Sequence, residues 1–329
     1  MEWLTAESRF KLDEFSLVRR YFSTQTCRRD DVRLGIGDDA AVVIPHPGYE
    51  LVVTTDVLID GVHFPSSTPP GALGHKALAV NISDIAAMGA EPAWATLNLA
   101  LPVSEEQWLT DFSAGFMELA DRFGVALIGG DTVCGPLAIG VQLIGQTPAG
   151  SALRRDGARP GDRVYVTGTL GDASLGLRAC TGELSIDRED RAFLIDRLQR
   201  PLPRVDVGRA LRGIASAAID ISDGLAADLG HILECSGYGA DVYLARLPLS
   251  DAYRRCDPGW DPAVSGGDDY ELCFTVAPGR DAPLQAATHE LNVPITMIGA
   301  ISDQPGLRLR DESGRHYESA RDGFQHFAD

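Results

Sequence analysis

Lysine is almost missing from this chain. Only Lys11 and Lys76 occur among 329 residues, and the other basic side chains are arginines. No Gly-Lys dipeptide exists, so a phosphate-binding P-loop, which needs Gly-Lys-Ser/Thr, is excluded. The His-Arg-Asp and Asp-Phe-Gly motifs of protein kinases are absent as well. Positive charge as a whole is scarce: 47 acidic residues face 29 basic ones, a net charge of −18. That balance argues against nucleic acid or an anionic membrane as partner. The six cysteines (Cys27, Cys134, Cys180, Cys235, Cys256, Cys273) contain no C-x-x-C pair, which excludes a zinc ribbon or a thioredoxin-type site. They read as small, mostly core thiols kept reduced. No apolar run approaches membrane-spanning length, and the N-terminus shows no leader pattern. The expected location is the cytoplasm.

What is present is a globular composition, 44% hydrophobic and 23% charged, over a length that predicts two domains. The Gly/Pro/Arg-containing stretch from Gly150 to Asp162 lacks a long apolar run and sets the expected boundary, 1–149 and 150–329. An amphipathic helix is expected over Glu14–Phe22, with Phe15, Val18 and Phe22 on one side. Strands are expected at Ala40–Ile44, Leu51–Thr54, Trp94–Ala100, Val125–Ile128 and Leu137–Ile144. Helices are expected over Gly71–Met88 and from Ser104, with a capping pattern, to a stop near Gly124. The second half reads as strands at Val164–Thr167, Ala217–Asp220, Leu272–Val276 and Ile295–Ile298, with helices at Pro203–Ile214 and Asp223–Cys235. Both halves are therefore mixed α/β.

Three apolar runs end in aspartate: Leu51 to Asp56, Val125 to Asp131 and Ala217 to Asp220. Each reads as a strand delivering a carboxylate at its carboxyl end, where α/β sheets bind ligands. Asp39, Asp84 and Asp223 sit in similar Gly/Ser settings. Any one of them could simply cap a turn. Six together point to a set of hard oxygen ligands suited to Mg²⁺ or Ca²⁺ and poorly suited to Zn²⁺. His63 follows soon after Asp56. Arg154-Arg155 could meet a phosphate or be a plain surface pair. Gly35-Ile-Gly-Asp-Asp-Ala40 formally matches a dinucleotide fingerprint, but strand-like residues follow it where a helix is required. Val166–Gly171 could offer backbone N–H groups at a helix start. Ser265-Gly-Gly-Asp-Asp-Tyr-Glu271 could bring backbone close to a ligand.

In order and spacing, several of these motifs resemble one family. They are Gly35-Ile-Gly-Asp-Asp39, Thr54-Thr-Asp56, Gly61-Val-His63, Lys76–Gly89 with Asn81-Ile-Ser-Asp84, Gly129-Gly-Asp131, Pro160-Gly-Asp162, Ile219-Asp-Ile-Ser-Asp-Gly224 and Gly266-Gly-Asp-Asp-Tyr-Glu-Leu-Cys-Phe274. The series is similar to that of thiamine-monophosphate kinase, within the aminoimidazole-ribonucleotide synthetase superfamily, and extends to Gly323-Phe-Gln-His-Phe327.

The resemblance implies two domains of that superfamily's type, with the N-terminal domain pairing into a β-barrel across a homodimer. It implies ATP-dependent phosphorylation of thiamine monophosphate to thiamine diphosphate with several Mg²⁺ ions. Asp39, Thr54, Thr55, Asp56, Asp84, Asp131, Asp220 and Asp223 match its metal ligands. Gly130, Asp131, Arg155 and Ser222 match its nucleotide contacts. His63, Asp268 and Phe324 match its substrate contacts, with Phe324 where the family often has Trp or Tyr and Asp268 where Glu is frequent. The acceptor phosphate is already ionised at neutral pH, so no essential general base is expected. Two alternatives share the features: ATP-driven ring closure of the aminoimidazole-ribonucleotide synthetase kind, and a non-catalytic Mg²⁺ or nucleotide sensor.

Overall fold

Residues 14–23, 28–256 and 259–319 are described by the structure, a computed structural model. The chain forms two compact units, each assembled from several stretches. The first takes in the described residues up to Ile44, Thr55–Leu78 and Trp94–Gln142. The second takes in Pro45–Thr54, Ala79–Ala93 and the described residues from Leu143 onward.

Helix α1 (Glu14–Val18) runs into a π-helical turn at Arg19–Ser23. The wider turn shifts the buried face from the expected one to Leu17, Tyr21 and Phe22. The Phe15 side chain lies outside the described set. Strands β1 (Val32–Leu34) and β2 (Val42–Val43) pair antiparallel as a small separate sheet. The segment after Gly35–Ala40 is thus strand, and the dinucleotide fingerprint lacks its helix.

There follow β3 (Tyr49–Ile59), α2 (Pro70–Ala87), β4 (Glu91–Leu101), α3 (Glu106–Phe123), β5 (Ala126–Cys134) and β6 (Ala138–Pro148). The four strands form a sheet of order β3-β6-β4-β5. Strands β4 and β5 are parallel, and α3 supplies the crossover such a pair requires. That helix buries Leu109, Phe112 and Phe116 at helical spacing, with Trp108 stacked on Phe112 at 4.9 Å. It stops at Gly124 in the left-handed conformation, as the sequence suggests. Its start differs from expectation: Glu105 is the N-cap and no side chain caps it, so Ser104 falls one residue too early. Arg29 donates to the Gly124 carbonyl at 2.7 Å and holds the Asp31 carboxyl below the usual carboxylate range. Asp31 in turn accepts from the buried Trp94 indole N–H at 3.0 Å. Along β3, Leu51, Val53, Val57 and Ile59 alternate outward and are exposed.

The second unit continues with β7 (Arg163–Thr167), α4 (Asp172–Thr181), α5 (Arg188–Gln199), α6 (Val205–Ala210), β8 (Ala215–Asp220) and α7 (Leu225–Ser236). Then come β9 (Gly239–Tyr243), α8 (Asp251–Cys256), α9 (Asp261–Ser265), β10 (Leu272–Val276), α10 (Asp281–Thr288), β11 (Ile295–Ser302), β12 (Gly306–Arg310) and β13 (His316–Tyr317). Its sheet has the order β13-β12-β9-β11-β7-β10-β8. Strand β10, buried along its whole length, lies antiparallel between β7 and β8. Val164, Val166, Ile219, Ile221, Leu225 and Leu229 are central to this core. Mixed α/β architecture is thus present in both halves. Among the described residues no helix is long and apolar enough to cross a membrane. Of the described cysteines only Cys273 is buried, while Cys180 and Cys256 are half-buried and Cys134 and Cys235 exposed, so they are not mostly core thiols as expected. Cys27 lies outside the described residues.

Candidate functional site

Only one of the three expected strand-terminal aspartates ends its strand. Strand β8 stops at Asp220, but β3 runs past Asp56 to Ile59 and β5 runs past Asp131 to Cys134. The reason is local. Val57-Leu58-Ile59 and Thr132-Val133 are good strand formers, so those carboxylates stand within strands.

In the second unit, α2 presents Ser83 and Asp84 side by side. The Ser83 hydroxyl donates to the buried Asp220 carboxylate at 2.6 Å, and the Thr54 hydroxyl of β3 donates to Asp84 at 2.5 Å. Burial pushes the Asp84 carboxyl up, against the hydrogen bond from Thr54 and the positive charge of Arg155. Burial and then the charge of Asp84 push Asp220 up to about 8. Two desolvated carboxylates in mutual repulsion are what a bound cation relieves. The donors around them are all oxygens, a set that fits Mg²⁺, which keeps part of its shell as water or phosphate oxygen. Among the described residues no group of three or more His, Cys, Asp or Glu side chains is placed to hold a metal ion. Exposed Arg154 is taken up by Asp156 in a two-pronged pair at 2.8 and 2.5 Å.

The turn after β8 carries Ser222 and Asp223 and is locked against the loop Gly266–Glu271. The amides of Asp268 and Tyr270 donate to the carbonyls of Ser222 and Ile221, each at 2.8 Å. Asp268 and Tyr270 hold positive φ angles of 68° and 50°, an uncommon conformation for such residues. The Tyr270 hydroxyl donates to the Asp268 carboxylate at 3.1 Å. Glycine is required at both sides of this lock. A Cβ on Gly267 would lie 2.4 Å from the Ser222 carbonyl oxygen, and one on Gly224 would lie 2.8 Å from the Ser265 carbonyl carbon.

A buried ionic cluster anchors the end of that loop. Glu271 accepts from Thr167 at 2.6 Å, from Arg204 at 2.6 and 2.5 Å, and from Arg197 at 3.0 Å. Burial holds the neighbouring Asp269 carboxyl well above the usual carboxylate range, and one of its oxygens accepts from the Gly171 amide at 2.7 Å. The helix start offered by Val166–Gly171 is therefore filled by the protein's own carboxylate.

The first unit holds the remaining residues. Asp39 is exposed in the turn after β1, where its amide donates to Asp38 at 2.9 Å. Thr55 is exposed and Asp56 half-buried, on opposite faces of β3. His63 lies in the turn after β3, and its Nδ1 accepts from the Ile59 amide at 3.0 Å. Asp131 is exposed, registers with Asn98 of β4, and accepts from the Thr132 amide at 2.8 Å. Gly130, at φ 145°, sits so close to β4 that a Cβ would lie 1.8 Å from the Leu97 carbonyl oxygen. Phe324 lies outside the described residues.

The structure thus gathers Thr54, Asp84 and Asp220, and sets Ser222, Asp223 and Asp268 on two interlocked loops. Sequence reasoning assigned no role to Ser83, Asp228 or the Glu271–Arg197–Arg204 cluster. Only Asp228 left a readable signal, a carboxylate in the first turn of a glycine-started helix.

Comparison with known proteins bears on the family of the chain. The AIR synthase related protein family models match the chain, the N-terminal domain at residues 37–147 and the C-terminal domain at 159–312. The thiamine-monophosphate kinase of Salmonella typhimurium is 49% identical over 323 residues, covering 96% of this chain and 98% of that protein. The crystal structure of thiamine-monophosphate kinase from Stenotrophomonas maltophilia K279a is 48% identical with a TM-score of 0.83, covering 88% of this chain and 93% of that one. A structure of AaThiL complexed with AMPPCP and TMP is 34% identical with a TM-score of 0.76, covering 89% of this chain and 92% of that one. Similarity of this extent, carried along both halves of the fold, places the chain: it belongs to the thiamine-monophosphate kinase family.

Proposed function

We propose that this chain transfers the γ-phosphoryl group of ATP to thiamine monophosphate, giving thiamine diphosphate and ADP. The observation that carries the reading is the near-full-length likeness to a relative complexed with AMPPCP and TMP. The geometry of the second unit supports it, because phosphoryl transfer to an anionic acceptor is a problem of charge. Unit charges ~4 Å apart repel by roughly 4 kcal/mol at an effective dielectric near 20. Bound Mg²⁺ would supply the positive charge that offsets this repulsion on the phosphates.

The proposed Mg²⁺ ligands are Asp39, Thr55, Asp56 and Asp131 in the first unit, and Thr54, Asp84, Asp220 and Asp223 in the second. Gly130, Asp131, Arg155 and Ser222 are proposed to meet the nucleotide. Arg155 brings the fixed positive charge felt at Asp84. His63, Asp268 and Phe324 are proposed to meet the acceptor. The carboxylate of Asp268, steadied by the Tyr270 hydroxyl, suits the cationic thiazolium. No side chain is assigned to proton abstraction.

The division at 149/150 is proposed as the domain boundary, and the cytoplasm as the location. A homodimer is proposed through β3. This strand stands at a sheet edge and shows Leu51, Val53, Val57 and Ile59 on one exposed apolar face. The deciding experiment is turnover with ATP, Mg²⁺ and thiamine monophosphate, with products separated by chromatography. Thiamine diphosphate and ADP in equal amounts are expected, and none from ATP without the acceptor. Absence of thiamine diphosphate would refute the reading.

A further inference from the structure

Successive backbone N–H groups at the start of a helix form a concavity that binds anions such as phosphate. The turn between β8 and α7 has this form. Its three amides, from Ser222, Asp223 and Gly224, all donate to one oxygen of Asp228, at 3.0, 3.0 and 3.1 Å. Asp228 lies in the first turn of α7, reaches back toward the turn, and is 3% exposed. The concavity is therefore filled from inside by the protein's own carboxylate.

The other side of the turn is fixed too, since the Ser222 carbonyl accepts from the Asp268 amide at 2.8 Å. With these three amides and the Ser222 carbonyl engaged, the backbone of the turn is fixed, and its side chains are carried in one arrangement. We propose that Asp228 is a positioning residue: its carboxylate occupies the amide nest of the β8–α7 turn, so that a backbone built to hold an anion instead presents Asp220, Ser222 and Asp223 for a cation and its phosphates. The inference rests on the kinase reading for the identity of that ligand. In this role Asp228 acts through the turn, not by contact with substrate or metal.

The test uses Asp228→Ala and Asp228→Asn in the full chain, with Mg²⁺ titrations of turnover and thermal unfolding in sodium formate or sodium chloride. In Asp228→Ala, kcat should fall and the half-saturating Mg²⁺ concentration should rise, each by about tenfold or more. Formate is small enough to enter the vacated nest. It should raise Tm and recover activity in Asp228→Ala beyond any effect of chloride, and should do neither in the wild type. Asp228→Asn keeps an acceptor oxygen at the nest, and its half-saturating Mg²⁺ should stay within about threefold of the wild type. If the alanine variant is unfolded in chloride, refolding in formate is the expected result. Wild-type kcat and Mg²⁺ dependence in folded Asp228→Ala, or formate acting no better than chloride, would overturn the proposal. The thermal readout needs no turnover. A wild type inactive on thiamine monophosphate would therefore refute the kinase reading and leave the role of Asp228 to be decided by formate.

Discussion

Ser83 donates a 2.6 Å hydrogen bond to Asp220, joining α2 to the end of β8 through a carboxylate buried beside another carboxylate. A fold selected for stability alone has no use for that pair, because each charge raises the cost of the other. Asp220→Asn should therefore reduce turnover by about a hundredfold or more, as should removal of Mg²⁺ with EDTA. The same variant should unfold no earlier than the wild type in EDTA, since it loses a buried repulsion and keeps an oxygen for Ser83. Asp56→Asn and Asp131→Asn should also lose activity with their folds intact. Steady-state kinetics and thermal melts with and without Mg²⁺ check all three. Near wild-type turnover in Asp220→Asn at ordinary Mg²⁺ would remove Asp220 from the ligand set.

Much of this was legible in the sequence where the information is local. Strand β10 runs over Leu272–Val276 as its unbroken apolar pattern predicts, and α3 ends at Gly124, where a left-handed residue is needed. The positions of Asp56 and Asp131 within their strands were misread, because strand formers continue past each carboxylate and a motif that stops at Asp hides them. The partners of Glu271 were not readable. Arg197 and Arg204 lie far from it in sequence, and a lone Glu in a polar loop gives no sign of burial. Asp228 escaped for a related reason: its role exists only once the turn has brought three amides to one oxygen.

The buried cluster behind the Gly266–Glu271 loop gives a pH prediction. Burial raises Asp172 and Asp269, and each is raised further by Glu271, while Arg197 opposes the rise. One Asp269 oxygen has no hydrogen-bond partner among the described residues. A carboxyl whose folded pKa is raised favours the folded state fully below its unfolded pKa, and that contribution is lost as pH rises through the folded value. Wild-type unfolding free energy should therefore decline from mildly acidic to alkaline pH, by at most about 1.4 kcal/mol per pH unit for each such proton. Asp269→Asn cannot titrate and should show a shallower decline, with the remainder left to the other raised carboxyls, Asp84, Asp172, Asp220 and Asp228. Urea unfolding at several pH values checks this. An unchanged slope in the variant would mean that Asp269 is already ionised in the folded protein.

The exposed face of β3 gives a prediction about assembly. Val53 and Val57 project from one side of an edge strand with more than half of each residue's surface open. If a second copy covers this face, Val53→Asp places two like charges near one another in an apolar seam, which costs several times RT. The wild type should elute with the mass of a dimer in size exclusion with light scattering, and the variant should shift toward monomer. A monomeric wild type at micromolar concentration would refute assembly through this strand.

His63 offers the sharpest separation between the two substrates. Its Nδ1 already accepts from the Ile59 amide, so in the neutral ring the proton sits on Nε2, which becomes a donor suited to a phosphate oxygen. A hydrogen bond to a charged group contributes about 1.5–3 kcal/mol, so His63→Ala should weaken thiamine monophosphate binding by roughly 10- to 100-fold. Nucleotide affinity should barely change. The bond to Ile59 also shapes the turn after β3, and a purely structural role would weaken both ligands together or lower Tm alone. Isothermal titration of ATP analogue and acceptor separately distinguishes the outcomes. Unphosphorylated thiamine supplies the control, because it lacks the phosphate that Nε2 is proposed to hold. Its weak binding should be the same in wild type and variant. Loss of ATP affinity with acceptor binding intact would move His63 from the acceptor to the nucleotide.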